Sequence, residues 1–173
     1  MYIYLYLKER NMERVSKHNY YLDIAQTVAE RSTCLRRKFG SIIVKNDVIV
    51  STGYNGSPRG RKNCDELGSC YRDKLGIPRG ERYEMCRSVH SEQNAIIAAP
   101  REQMLGATLY MVCVSPEDGA VMPGTTCCMM CKRVVINAGI STVIVRDDKE
   151  NYRIIDVQSW IDDDDSLSGK FGY

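Results

Sequence analysis

Four side chains in two short stretches of the sequence have the types and the spacing to do chemistry together. His90 and Glu92 lie in VHSEQNAI, and Cys128 and Cys131 lie in TTCCMMCKRVV. Residues three apart are neighbours on a helix, so a Cys-x-x-Cys at a helix start places both sulfurs on one side. Two thiolates and one neutral imidazole are three ligands for Zn²⁺ and leave a fourth position for water, as in a catalytic zinc site.

Glu92 adds a proton carrier to this set. A carboxylate two residues beyond the histidine can take a proton from water at the metal and return it to a substrate nitrogen. The combination indicates hydrolysis of an amino group from an amidine-like ring carbon. Each part alone also has an ordinary explanation, because Cys-x-x-Cys occurs in structural zinc sites and redox pairs, and His-x-Glu is also a helix start with a surface carboxylate.

A third thiol, Cys127, directly precedes the Cys-x-x-Cys pair. Cys127 and Cys131 are four residues apart and would also share one helical face, so spacing alone leaves two possible ligand pairs. The free N–H groups at a helix start lower the pKa of nearby thiols, which favours the thiolates that a metal needs.

Composition limits the kinds of partner that the chain has. Its 173 residues are the length of one domain, and the formal net charge is only +2. A near-neutral chain argues against a protein whose main partner is a nucleic-acid backbone. No run approaches the roughly 20 apolar residues of a membrane span, and MYIYLYLKER lacks the features of a secretory signal. We therefore expect a cytoplasmic protein with neither nucleic-acid nor membrane partners.

Eight cysteines are many for a cytoplasmic chain of this size. In a reducing compartment, clustered thiols are metal ligands or small buried residues more often than disulfides. Four disulfides in an exported protein are the alternative, which the absence of a signal sequence disfavours.

The first half of the sequence predicts one helix and one hairpin. Apolar residues at spacings of three and four in HNYYLDIAQTVAERSTC indicate an amphipathic helix that ends near Arg31. Two β-rich runs, 41–45 and 48–52, follow and are joined by Asn46 and Asp47, a dipeptide typical of hairpin turns. The segment 59–87 then loses periodicity, so it is either a disordered insert or is ordered by something such as a metal.

The second half alternates helix and strand. A helix begins at HSEQNAI and is broken or bent at Pro100; ATLYMVCV is a strand, CMMCKRVVINAG is a helix that Gly139 ends, and STVIVRD is a strand. This alternation predicts a largely parallel sheet with helices on its faces. We expect a domain over 16–160, with 1–15 as an extension or arm and 161–173 as an acidic tail. A more ordinary N-terminal sequence, MERVSKHNYY, begins at Met12. Residues 1–11 are therefore either an upstream extension that results from the choice of start site or a tyrosine-rich strand or arm.

Together, HSEQNAI, GATLYMV and CMMCKRVVINAGI resemble the cytidine and deoxycytidylate deaminase superfamily, whose signature is H-x-E followed by P-C-x-x-C. RSTCLRRKFGSIIVKNDVIVSTGYNGSPRGRKNC is similar to the N-terminal part of deoxycytidylate (dCMP) deaminases, and the resemblance covers roughly residues 16 to 147. It implies an α/β fold of three layers, α/β/α, with a mixed sheet of about five strands. It also implies zinc on His90, Cys128 and Cys131, with Glu92 as the proton shuttle in the conversion of dCMP to dUMP and ammonia.

The same resemblance suggests further sites. Asn55 matches a position expected to hold the nucleotide sugar or a deoxynucleoside triphosphate effector, although a turn asparagine is an equal explanation. A homo-oligomer is also implied. Cys34, Cys64 and Cys86 match positions where several dCMP deaminases keep residues for a second, structural zinc, and Cys70 would complete a set of four sulfurs. The alternative is that these are free thiols, with Cys34 buried against the sheet. Basic residues near these motifs are candidates for binding a phosphate, or else form a solvated face: Arg36, Arg37, Arg59, Arg61, Lys62 and Arg87.

Two departures from the family pattern bear on the substrate. Cys127 stands where the family has proline, and the stretch VSPEDGAVMPGTT is longer than usual. A nucleoside or another small amino-heterocycle is therefore an alternative substrate. A zinc-stabilised module that senses deoxynucleotides without catalysis is the non-enzymatic alternative, and Glu92 argues against it because a structural zinc site needs no such carboxylate.

Overall fold

A computed structural model describes residues 14–78 and 80–163 of the chain. Within them a single sheet has the strand order β2-β1-β3-β4-β5. The strands are β1 (Lys38–Lys45), β2 (Val48–Tyr54), β3 (Thr108–Val114), β4 (Thr142–Arg146) and β5 (Tyr152–Asp156). The helices are α1 (Lys17–Glu30), α2 (Tyr71–Lys74), α3 (Ser91–Ile97), α4 (Arg101–Met104), α5 (Met129–Ala138) and α6 (Val157–Asp162), with a 3-10 turn at Tyr83–Met85.

The sheet is mixed, as the family resemblance implies, and the expectation of a largely parallel sheet is wrong. Only β3 and β4 run parallel, while β1 is antiparallel to both of its neighbours and β4 is antiparallel to β5. The reason is that a helical crossover, α5, connects only β3 to β4. Short hairpin connections join β1 to β2 and β4 to β5, and such connections reverse the chain direction.

The first hairpin forms where the sequence predicts it. Asn46 and Asp47 both adopt positive φ, 50° and 63°. Two such residues in succession make a primed turn, whose twist matches that of the strands on either side, and asparagine and aspartate tolerate it better than most residues. The helix break at Pro100 is also confirmed, since α3 ends before it and α4 begins directly after it.

Both faces of the sheet are covered, which gives the three layers α/β/α. Alternate residues of each strand point to opposite faces. On one face Ile42, Tyr110 and Val112 pack with α1, and on the other Leu109 and Met111 pack with α3, α5 and α6. The site described below lies on the second face, because both of its helices do.

No element is assigned from the sequence to the residues between β4 and the expected tail. β5 lies there and α6 begins there, and Trp160 of α6 packs against the core. The expected tail 161–173 therefore overlaps α6, and its residues 164–173 lie outside the described ones. Residues 1–13 of the expected N-terminal extension lie outside them as well.

No helix among the described residues is long and apolar enough to cross a membrane.

Gly53 of β2 allows α3 to pack directly on the sheet. A Cβ atom added at this position would lie 2.3 Å from the Ala95 nitrogen and 2.3 Å from the Ser91 oxygen, both backbone atoms of α3. We expect Gly53→Ala to lower the free energy of unfolding by about 1–3 kcal/mol, because α3 and β2 must move apart to admit the added methyl group. Urea denaturation of the two proteins would measure the difference.

Gly56, which follows β2, offers a matched control. Its added Cβ would meet nothing closer than the Thr33 hydroxyl at 3.4 Å. Gly56→Ala is therefore expected to change stability by no more than about 0.5 kcal/mol. Equal denaturation midpoints for the two variants would contradict the close approach of α3 to β2.

Candidate metal centre and active site

Two helix starts bring the histidine and the Cys-x-x-Cys together. The Nδ1 atom of His90 lies 3.5 Å from the Sγ atom of Cys128 and 3.3 Å from that of Cys131. The three ligand atoms all lie within 4.8 Å of one another. Among the histidine, cysteine and acidic side chains of the described residues, His90, Cys128 and Cys131 are the ones whose ligand atoms come close enough together to hold a metal ion.

Local hydrogen bonds fix His90 at the start of α3. Its backbone N–H donates to the Oε1 atom of Gln93 at 3.1 Å, which satisfies one of the free donors at the helix start. One turn further on, the side-chain amide of Asn94 donates to the carbonyl oxygen of Tyr54 at 2.7 Å. The end of β2 therefore holds the first turn of α3, and with it the imidazole.

The start of α5 positions the two sulfurs. Cys128 precedes the first helical residue in an extended conformation, and its carbonyl oxygen accepts from Lys132 N–H at 2.9 Å. Cys131 lies one turn along and is fully buried. Gly139 ends the helix in the left-handed conformation, as predicted from the sequence.

The electrostatics of this group favour a thiolate and an imidazolium. Hydrogen bonding from Cys131, reinforced by His90, lowers the pKa of Cys128 in spite of burial. Burial opposes protonation of His90, but hydrogen bonding to Cys128 and Cys86 raises its pKa to about 10. Hydrogen bonding with Cys128, together with burial, raises the pKa of Cys131. A metal ion that takes these ligands therefore displaces protons.

The donor set fits zinc. Two sulfurs and one imidazole nitrogen are ligands that Zn²⁺ accepts in a tetrahedral arrangement, whereas Mg²⁺ and Ca²⁺ require oxygen ligands. His90, Cys128 and Cys131 would hold the ion, and three protein ligands leave one position open, as in catalytic sites.

Glu92 lies beside these three residues. Its side chain is 4 % exposed, and its negative charge is among the causes that raise the pKa values of His90 and Cys131. The hydroxyl of Ser91 donates to its Oε2 atom at 3.0 Å. The carboxylate is thus buried, oriented and adjacent to the candidate metal ligands.

Cys127 faces the carboxylate and is not part of the three-residue group. Its thiol is 2 % exposed, and burial and then the adjacent Glu92 raise its pKa well above the usual value. The three ligand atoms that lie within 4.8 Å of one another belong to His90, Cys128 and Cys131 and do not include the Cys127 sulfur. Of the two pairs that spacing left open, this geometry favours Cys128 and Cys131.

Two residues that no sequence pattern selects flank His90. The ring of Tyr83 meets the imidazole edge-on, with centroids 5.2 Å apart and an interplanar angle of 90°. The guanidinium of Arg72, itself 5 % exposed, lies 4.6 Å from the centroid of the Tyr83 ring. Both come from the aperiodic segment, where no hydrophobic pattern marks the buried positions.

The four cysteines expected at a second zinc lie near one another without forming a closed group. Burial, and then the thiols of Cys34, Cys86 and Cys70, raise the pKa of Cys64. Within the described residues these sulfurs do not meet the 4.8 Å distance that the other site satisfies. Cys86 lies beside His90, and hydrogen bonding with that imidazole lowers its pKa although burial opposes the shift.

Asn55 is occupied by contacts within the chain. Its Oδ1 atom accepts from the Ser32 hydroxyl at 2.6 Å and from Phe39 N–H at 2.7 Å, and its amide donates to the Arg37 carbonyl oxygen at 2.9 Å. These three bonds fix the loop after β2 to the chain before β1. They give Asn55 a structural role, and the contact with a sugar or an effector stays a prediction.

The predicted basic residues are distributed over different surroundings. Arg36 forms an ion pair with Asp73 at 3.2 Å, and Arg87 donates to the Lys62 carbonyl oxygen at 2.9 Å. Arg61 and Arg87 line a cavity of about 430 Å³, together with Lys74. Cys86 also lines this cavity, so the cavity adjoins His90 although it does not include the metal-binding group.

Contacts distant in sequence anchor the long loop before Cys127. Arg153 of β5 donates to the Thr125 carbonyl oxygen at 2.5 Å and pairs with Asp147 at 2.6 Å. Asp147 in turn accepts from Gly124 N–H at 3.0 Å. The end of the loop next to the candidate ligands is therefore attached to the β4–β5 hairpin, a contact that local sequence pattern does not reveal.

The chain belongs to the family of cytidine and deoxycytidylate deaminases, in agreement with its fold and its candidate metal-binding group. The family model for the cytidine and deoxycytidylate deaminase zinc-binding region matches residues 15–146. The deoxycytidylate deaminase of Mycobacterium phage D29 is 35% identical over 138 residues, which are 77% of this chain and 96% of that protein. The deoxycytidylate deaminase of Schizosaccharomyces pombe is 32% identical over 135 residues, which are 78% of this chain.

A solved structure agrees with this assignment. The dCMP deaminase of cyanophage S-TIM5, crystallised in complex with dCMP and dUMP, superposes with a TM-score of 0.50 and 26% identity over 75% of this chain and 79% of that one. The match to the fission-yeast relative covers 38% of its length, and that to the Saccharomyces cerevisiae relative covers 45%, so this chain spans less than half of either protein.

Proposed function

We propose that this protein is a zinc-dependent deaminase that converts dCMP and water to dUMP and ammonia. The observation that carries the proposal is the buried carboxylate of Glu92 beside a His90, Cys128 and Cys131 group that fits zinc. A structural zinc site has no use for such a carboxylate, whereas hydrolysis of an amino group requires repeated proton transfer at one place.

The chain's own residues would supply the proton transfers. When bound, zinc lowers the pKa of a water molecule towards neutrality. The Glu92 carboxylate accepts a proton from the attacking water and delivers it to N3 of the cytosine ring. It then takes the remaining proton from the hydroxyl added at C4 and passes it to the amino group on C4, so that the C4–N bond breaks, ammonia leaves and the C4 oxygen becomes the carbonyl. Burial of Glu92 keeps bulk water from competing for these protons.

Relatives and charge support a nucleotide monophosphate as the substrate. Deoxycytidylate deaminases are the curated relatives at 35% and 32% identity. The cavity next to Cys86 carries the cationic side chains of Arg61, Lys74 and Arg87. A phosphate needs such cations, and arginine can bind it with two parallel hydrogen bonds. We therefore place the 5′-phosphate at this cavity and the base at Glu92.

A substrate panel tests the proposal. Zinc-loaded protein should release ammonia from dCMP, with a lower kcat/KM for deoxycytidine because the phosphate contacts are lost. CMP and dCTP complete the panel and report on the sugar and on phosphate number. Turnover of deoxycytidine but not of dCMP would replace this substrate by a nucleoside, and no turnover of any cytosine compound would overturn the function.

We also propose a second zinc ion bound by Cys34, Cys64, Cys70 and Cys86. Its support is the clustering of the other three thiols around Cys64. A tetrahedral site with Zn–S bonds of about 2.3 Å needs sulfurs about 3.8 Å apart, so the segments that carry them must close further when the ion binds. The ion would then order the aperiodic segment in place of a hydrophobic core.

Metal analysis checks the second zinc. We expect about two zinc ions per wild-type chain and about one in Cys70→Ser, because a structural site loses most of its affinity with one of four thiolates. One zinc ion in both proteins would refute the second site. A triphosphate effector, a homo-oligomer and a cytoplasmic location stay predictions from the resemblance and the sequence.

A further inference from the structure

Two fully buried serines connect the sheet to the carboxylate of Glu92. The Ser41 hydroxyl of β1 lies 2.8 Å from the Ser91 hydroxyl at the start of α3, and Ser91 Oγ lies 3.0 Å from Oε2 of Glu92. Ser41 and Ser91 are both 0 % exposed. Buried hydroxyl groups carry a free-energy penalty unless they are paired, so the three side chains form one continuous hydrogen-bonded row.

The chemistry of the groups fixes the direction of each hydrogen bond in this row. An ionised carboxylate can only accept, so Ser91 donates its single proton to Oε2. The oxygen of Ser91 then remains as an acceptor, and Ser41 donates to it. Every donor in the row points towards Glu92.

This order has a consequence for the protonated form of Glu92. If the proton rested on Oε2 and were donated to Ser91, the Ser91 oxygen could still accept from Ser41, but the proton of Ser91 itself would lose its acceptor in the row. A buried donor left without a partner costs about 1–3 kcal/mol. With the proton on Oε1, all the bonds of the row persist unchanged.

We propose that Ser91, supported by Ser41, is a positioning residue that holds Oε2 of Glu92 and reserves Oε1 for carrying the proton between water and substrate. The inference rests on the proposed deaminase function, since it assigns the two carboxylate oxygens different parts in that reaction. In this role the Ser91 hydroxyl acts through Glu92 and is assigned no contact with the substrate or with the three candidate ligand atoms.

Ser91→Ala tests the proposal directly. We expect kcat for dCMP to fall roughly tenfold, the factor that the loss of one hydrogen bond to a charged group gives, with KM within twofold of wild type and zinc content unchanged. Ser41→Ala should lower kcat in the same direction but less, because Ser91 can still donate. The double variant should have the kcat of Ser91→Ala alone, since Ser41 acts only through Ser91.

Ser51 provides the matched control. It is also a buried serine, 8 % exposed, and its hydroxyl donates to the Ala95 carbonyl oxygen of the same helix at 2.7 Å without contacting Glu92. Ser51→Ala should keep the wild-type kcat. An equal fall in kcat for Ser51→Ala and Ser91→Ala, or a rise in KM at constant kcat, would overturn the proposal. If Ser91→Ala fails to fold, the kcat of the Ser41→Ala, Ser91→Ala double variant tests the proposal instead, because that variant leaves no unpaired hydroxyl in the row.

A spectroscopic readout separates this inference from the proposed function. The infrared band of the Glu92 carboxylate, obtained as the difference between wild type and Glu92→Gln, needs no turnover. It should shift in Ser91→Ala and stay in place in Ser51→Ala; an unshifted band in Ser91→Ala refutes the inference. Absence of turnover in the wild type, with the band shift present, would refute the function alone.

Discussion

Replacing Glu92 by glutamine is expected to lower kcat for dCMP by roughly 100- to 10,000-fold, the range that a positioned proton carrier contributes. Glutamine has nearly the same shape, so it can still accept the hydrogen bond from Ser91, but it cannot take a proton from water at neutral pH. The metal content should stay at the wild-type value, because Glu92 is not among the three residues whose ligand atoms converge. Ammonia release and elemental analysis measure the two quantities.

Glu102→Gln is the control for this substitution. Glu102 lies in the first turn of α4 and is exposed, and its carbonyl oxygen, which the substitution retains, accepts from Lys45. This variant should deaminate dCMP at the wild-type rate. If Glu92→Gln behaves in the same way, Glu92 is not the proton carrier and the non-enzymatic alternative, a deoxynucleotide-sensing module, becomes the better explanation of the zinc-binding group.

Local chemistry explains why much of the fold was predictable. The Asn46-Asp47 turn, the helix end at Gly139 and the break at Pro100 each depend on residues whose backbone preferences act within a few positions. The direction of strand pairing depends instead on which connections cross the sheet. Alternating helix and strand in the second half therefore predicted a largely parallel sheet, whereas β5 returns by a short hairpin beside β4 and runs antiparallel.

The residues of the candidate site also fall into two groups, those that local sequence predicts and those that only the tertiary fold brings together. His90, Glu92 and the Cys-x-x-Cys are close in sequence to the helix starts that carry them, so spacing and residue type were enough to select them. Ser41 acts on Ser91 from fifty residues away, and Tyr83 reaches His90 from a segment without periodicity. Such contacts depend on the tertiary fold, and a single sequence carries no local signal of them.

Cys128→Ser is expected to remove the zinc ion of the candidate active site and abolish deamination. A serine hydroxyl stays protonated at neutral pH and is a weak ligand for Zn²⁺, and two remaining ligands bind the ion poorly. The fall in zinc affinity should exceed the roughly 100-fold that loss of an indirect contact to a ligand produces. Competition with a chromophoric chelator would measure the affinity, and elemental analysis should show one zinc ion per chain fewer than in the wild type.

Substitutions of Cys127 are the control for Cys128→Ser. Cys127 is the adjacent thiol, and its spacing of four residues from Cys131 would also place two sulfurs on one helical face. Its sulfur is buried against Glu92, outside the group of His90, Cys128 and Cys131. Cys127→Pro, which restores the residue usual in the family, and Cys127→Ala should both retain the zinc ion that Cys128→Ser loses. Loss of zinc in the two Cys127 variants but not in Cys128→Ser would instead assign the ion to Cys127 and Cys131. The helix start would then have to turn so that Cys127 faces His90, and the carboxylate of Glu92 would lose its contact with that thiol.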